Sequence, residues 1–116
     1  MVKVSDLLRK ARERIEDPKK WIKGALHRSG VIDSNGKQTW GYCMLGALES
    51  AARLTRANSN QQKQAALVVT QVINEQYPEG RGEWSIPSFN DSYKRTHEEI
   101  LRVFEKAEII AIEKDL

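Results

Sequence analysis

Few residues in this chain are suited to covalent chemistry. Among its 116 residues there is one cysteine, Cys43, and two histidines, His27 and His97. A thiol at a helix start feels the positive helix end, which can lower its pKa well below ~8.5. With His27 or His97 as base and Asp91 as orienter, Cys43 could serve a cysteine-dependent hydrolase or transferase. The opposing argument is that cysteine is among the most buried residue types and packs as a small hydrophobe. Met44 and Leu45 follow it directly, and no glycine-rich nucleophile turn precedes it. The packed thiol is the stronger reading.

Asn90-Asp91 is the second constellation. A carboxamide and a carboxylate before a helix start can read a base, a ribose or a peptide backbone. The same side chains also fold back on local N–H groups as turn formers, and here that role outweighs the other. Trp40, Tyr42 and Trp84 are aromatic surfaces on which a base could stack. Arg95 and Thr96 lie just beyond Asn90-Asp91, where a free helix N-terminus could meet an anion. The two histidines stand 70 positions apart in a chain with a single cysteine, which is no zinc spacing. Neither a phosphate-binding glycine loop, a dinucleotide fingerprint nor a Ser-centred hydrolase turn occurs. No metal or cofactor is expected.

The elements that must position these residues read as mainly helical. Val4, Leu7, Leu8, Ala11 and Ile15 recur at helical spacing and predict an amphipathic helix over 5–16, with Ser5 as N-cap. Asp17-Pro18 restarts the chain, which predicts a second helix to about His27 that buries Trp21, Ile22, Ala25 and Leu26. Asp33-Ser34-Asn35-Gly36 is a turn signal, flanked by Val31-Ile32 and Gln38-Thr39-Trp40 as a very short hairpin. A central helix over 41–56 is apolar around much of its circumference, as buried helices are. Its Gly46 lets a neighbour pack closely.

A further helix over 60–77 is predicted to bury Ala65, Leu67, Val68, Val72 and Ile73, and it stops before Pro78. Residues 78–95 form a long segment containing Trp84, Ile86, Phe89 and Tyr93. That apolar content requires it to pack on the core, with one helical turn near 87–92. Thr96-His97-Glu98-Glu99 is a capping box opening the last helix, to about 113. The expectation is a compact single domain of about five helices with one long packed loop.

Forty per cent hydrophobic and 30% charged residues suit one soluble domain at this length. The opening residues lack the apolar run of a signal peptide, and no stretch approaches the ~18 apolar residues of a membrane span. A lone cysteine suits a reducing compartment, so a cytoplasmic protein is expected. Residues 1–37 carry ten Lys/Arg against five Asp/Glu, and the remainder carries nine against eleven. The basic third, with Lys19, Lys20 and Lys23, could meet phosphates, although a solvated helix face is the stronger reading. Nucleic acid binding is therefore possible but not favoured, as no basic recognition helix stands out.

The order and spacing of several short motifs carry a resemblance. Trp21-Ile22-Lys23-Gly24-Ala25, Tyr42-Cys43-Met44-Leu45-Gly46-Ala47, Asn90-Asp91 and Thr96-His97-Glu98-Glu99 follow one another. Together they resemble a family of small proteins of unknown function from bacteria and their phages. Its pattern is W-x-x-G-A, an aromatic before C-x-L-G-A, then N-D, then T-x-x-E, and it spans roughly residues 5–112. Tyr42 stands where that family more often has tryptophan. The resemblance implies that Cys43, Asn90, Asp91 and Thr96 share one corner, and that the protein has an accessory role.

On these grounds the expected function is a non-enzymatic binding protein. It would act as a phage-type accessory or anti-defence factor that occupies a host protein or sequesters a small nucleotide-like ligand. Its surface would comprise Trp40, Tyr42, Cys43, Trp84, Asn90, Asp91, Arg95 and Thr96. The Cys43 enzyme is the alternative, and the basic nucleic-acid binder the second. The oligomeric state is not encoded in any pattern of this chain.

Overall fold

The computed structural model describes residues 2–116. Its α-helices are α1 (Val4–Arg14), α2 (Met44–Thr55), α3 (Ser59–Gln76), α4 (Ile86–Asp91) and α5 (His97–Glu113). A two-stranded antiparallel hairpin, β1 (His27–Ile32) and β2 (Gln38–Tyr42), lies between α1 and α2. The domain is mainly α with five α-helices, as expected, but not with the expected set. The predicted second helix is missing and the short α4 makes up the number.

α1 forms because Val4, Leu7, Leu8 and Ala11 fall on one stripe, all buried, and the stripe packs on α2 and α5. Its cap differs from the expectation. Lys3 is the N-cap residue, and the Asp6 carboxylate accepts the Lys3 N–H at 2.9 Å. Ser5 sits inside the first turn, where its hydroxyl donates to the Leu116 carbonyl at 3.3 Å.

After α1, Asp17 does accept the Lys19 N–H at 3.0 Å, with Pro18 at the first turn position. The turn nevertheless ends at Lys20 as a single 3-10 turn. Gly24 adopts φ +82°, outside helical space. The backbone groups a helix would need are bonded elsewhere. The Ile22 N–H donates to Tyr42 O at 3.1 Å and the Gly24 N–H to Asp91 Oδ1 at 3.0 Å. Long-range partners override the local helix signal. Of the four side chains expected to be buried there, only Ile22 is, while Leu26 is 42% exposed.

The hairpin is longer than Val31-Ile32 and Gln38–Trp40 alone. His27 pairs with Tyr42 and Ile32 with Gln38, with a bulge between Arg28 and Val31 where Gly30 takes φ +76°. Asp33 holds the turn by accepting the N–H groups of Asn35 and Lys37, both at 2.9 Å. Asp17 clasps it from outside, accepting the Ser34 N–H at 2.7 Å and hydroxyl at 2.6 Å.

α2 starts at Met44 with Cys43 as its N-cap, later than the expected 41, so Tyr42 joins Trp40 on β2 and does not belong to the helix. A Cβ on Gly46 would stand 1.8 Å from the Leu26 carbonyl oxygen, which also accepts the Cys43 N–H at 3.2 Å. Gly46 therefore admits another stretch of backbone, as read from the sequence. α3 buries Ala65, Val68, Val69, Val72 and Ile73, but Leu67 faces solvent at 69% exposure. The long segment packs through Ile86 and Phe89, whereas Tyr93 is exposed. No helix among the described residues is long and apolar enough to cross a membrane.

Candidate functional site

The sequence motifs converge on Asn90, and they do so structurally. Asn90 is fully buried at the end of α4, which Ser85 caps by accepting the Ser88 N–H at 3.1 Å. Its Oδ1 accepts the Trp21 indole N–H at 2.7 Å and the Met44 N–H at 3.1 Å. Its Nδ2 donates to Ile22 O at 3.0 Å and to Asp91 Oδ1 at 2.9 Å. The two donors and two acceptor directions of a carboxamide are thus all engaged. One side chain ties the irregular segment 21–24 to the start of α2. Lys23 adds a clamp, its Nζ donating to Ser92 O at 2.8 Å.

The neighbouring candidates are equally committed. Arg95 is buried with its guanidinium 3.6 Å from the Phe89 ring centroid, and it also faces Tyr77 and Trp84. Its Nε donates to Phe89 O at 3.0 Å, and Glu99 lies at 3.5 Å from its Nη1. The Trp84 indole N–H donates to Tyr77 O at 3.1 Å. Thr96 accepts the Glu99 N–H at 3.2 Å while Glu99 accepts the Thr96 N–H at 2.9 Å, the capping box read from the sequence. The start of α5 is therefore closed by its own side chains.

Cys43 is buried, and its Sγ accepts the Gly46 N–H at 3.4 Å as the helix cap. Burial pushes the thiol up, and the nearby Asp91 carboxylate adds to this against the pull of the Gly46 and Leu45 N–H groups. Its position at a helix start thus does not yield a lowered pKa. The thiol does border a pocket of about 240 Å³ lined by Gly24, Ala25, Leu26, Pro87 and Asp91. Neither histidine lines that pocket. The His97 Nε2 is 2.6 Å from Ile15 O, and its ring lies beside Trp21. The His27 ring stands edge-on to Trp40, with centroids 5.4 Å apart. Among the described residues, no group of three or more His, Cys, Asp or Glu side chains could hold a metal ion.

Trp40 and Tyr42 are drawn away from the Asn90 corner. They share one face of the hairpin with His27, because Tyr42 pairs with His27 and Trp40 lies two residues earlier. Arg53 of α2 completes a pocket of about 230 Å³ with these three. The Tyr42 hydroxyl accepts from Arg14 at 3.0 Å. Burial would raise this phenol, but its contacts with Ser50 and Arg14 and the charges of Arg14 and Lys20 outweigh that and lower it.

A family model describes residues 1–109. The chain belongs to the family of unknown function DUF6197. That match includes both the Asn90 corner and the hairpin pocket, so the DUF6197 unit contains every candidate considered. No curated protein and no solved structure matches the chain.

The eight candidate residues therefore fall into two groups. Cys43, Trp84, Asn90, Asp91, Arg95 and Thr96 lie on the corner side, and Trp40 and Tyr42 on the hairpin face. Sequence reasoning left Trp21, which donates to Asn90, and Arg53 of the hairpin pocket out of the site, and it read His27 only as a base for Cys43. The W-x-x-G spacing signalled Trp21. His27 could have been found by extending the hairpin pairing outward from Asn35-Gly36. Arg53 had no local signal, since its position depends on how α2 lies beneath the hairpin.

Proposed function

We propose that the protein is a non-enzymatic binding protein whose contact surface is the hairpin face that carries His27, Trp40 and Tyr42. It acts as a phage-type accessory or anti-defence factor, by occupying a host protein or sequestering a small nucleotide-like ligand. The observation that supports this reading is the state of the three tryptophans. Trp21 and Trp84 have their indole N–H groups bonded inside the fold. Trp40 is 47% exposed, and its N–H has no partner among the described residues. An amphipathic ring held on a strand with its polar edge free is suited to recognition.

The raised thiol pKa and buried position of Cys43 weigh against the cysteine-enzyme alternative. Native mass spectrometry of the protein purified from its host tests the proposal. A retained mass is expected on the parent and lost on Trp40→Ala, while Cys43→Ala keeps it. Iodoacetamide should label Cys43 only on unfolding. Retention unchanged in Trp40→Ala would overturn the proposal. So would fast alkylation of the folded protein with an apparent pKa below ~8.5.

A further inference from the structure

We propose that the pocket between the hairpin and α2 binds a free nucleoside phosphate, with its base stacked on Trp40 and its phosphate at Arg53. This rests on the hairpin face being the contact surface, and it names what that surface takes. The pocket walls are His27, Trp40, Tyr42 and Arg53, two aromatic rings with an imidazole and a guanidinium and no carboxylate. Arg53 is exposed and makes no salt bridge among the described residues. Glu49 lies one turn earlier on α2 and is not paired with it.

The available groups are thus an indole with a free N–H and an unpaired planar cation, which complement an aromatic anion. Arg14 does not line the pocket, but it holds the Tyr42 ring, donating to its hydroxyl at 3.0 Å. Charge and ring line the same opening, a combination that serves a base and its phosphate together. The pocket has a volume of about 230 Å³ and is open to solvent. That is below the roughly 300–1,000 Å³ of pockets that enclose drug-sized ligands, so a mononucleotide would sit in it only in part and extend into water. A longer strand would need a continuing row of aromatic and basic groups. Beyond the pocket the same hairpin face instead offers Gln38 and exposed Ile32.

Calorimetry with the four common nucleoside monophosphates, the matching nucleosides and inorganic phosphate decides the matter. At least one monophosphate should bind more tightly than its nucleoside or phosphate alone. Trp40→Ala should weaken it roughly 5- to 150-fold, the usual loss of one stacking surface. Arg53→Gln should weaken it on the order of tenfold and flatten its salt dependence. Glu49→Gln should tighten it, and Leu67→Ser on α3 should leave it unchanged.

Circular dichroism melts accompany each variant. Should Trp40→Ala fold poorly, Trp40→Phe takes its place, retaining a ring while losing the N–H. Absence of binding by every monophosphate at ~1 mM would overturn the inference. Binding indifferent to both Trp40 and Arg53 would do the same, as would a short oligonucleotide binding far more tightly than any monophosphate. If monophosphates fail while Trp40→Ala still loses the mass retained from the host, this inference falls and the hairpin-face reading stands.

Discussion

The Asn90 corner and the hairpin face carry similar residue types put to opposite uses. Each has an indole, a guanidinium and a histidine close by. At the corner the Trp21 N–H ends on Asn90, Arg95 is enclosed by Phe89, Tyr77 and Trp84, and His97 meets Ile15 O. On the hairpin Trp40 is half-exposed and Arg53 stands without an ion-pair partner among the described residues. Residue type alone therefore does not separate a fastening from a site. What separates them is whether the polar atoms already have partners, since a satisfied buried group has little left to offer a ligand.

The largest test of this contrast is Asn90→Ala. It would strip partners from the Trp21 N–H, the Met44 N–H and Ile22 O, each costly to leave unmade in a buried place. A loss of about 4 kcal/mol in denaturant unfolding is expected. A loss below ~1 kcal/mol would mean that the corner is not a fastening. Gly46→Val comes next, at about 3 kcal/mol, because the added Cβ meets the Leu26 carbonyl at 1.8 Å. A variant as stable as the parent would show that this crossing of backbones is looser than it stands here.

Thr96→Ala should cost about 1 kcal/mol by releasing the Glu99 N–H. Equal denaturation midpoints would remove the capping box from the account of α5. The smallest effect sits on the hairpin side, at Asp17. The Ser34 hydroxyl and N–H, then the Lys19 N–H, hold its carboxyl down to about 2. The unfolded value is about 3.9, so the folded state binds this proton less readily. The clasp's contribution is therefore complete above that value and fades as pH falls from about 4 through about 2. Exchange of the Ser34 amide should quicken relative to other turn amides over that window, and Asp17→Asn should abolish the dependence.

Where segments carried their own geometry, they were legible in the sequence. α1, α3 and α5 follow from apolar periodicity, and the Thr96 box from four adjacent residues. Asn35-Gly36 announced the hairpin turn, and Gly46 announced a close approach. What failed was the stretch after Pro18, where the helical spacing of Trp21, Ile22, Ala25 and Leu26 lost to partners far along the chain. Tyr42, Asn90 and Asp91 take its backbone groups, and no window of local sequence contains those bonds.

The candidate site shows the same division. Asn90 and Asp91 were visible as polar residues in a packed segment. That every atom of the Asn90 carboxamide finds a partner, and that no atom of the Arg53 guanidinium finds an ionic one, is visible only in three dimensions.

The Trp21–Asn90 bond joins residues 69 positions apart, whereas the hairpin pairs residues six to fifteen apart. Closing a long loop costs more chain entropy than closing a short one, so the two regions differ in when they can assemble. The hairpin can form early from its own turn, and the Asn90 fastening must wait until α4 has been delivered to the start of α2. Interactions made after the transition state govern how fast a protein comes apart rather than how fast it folds. On this view Asn90 acts as a latch in time: its loss shortens the lifetime of the folded chain while leaving its refolding rate almost untouched.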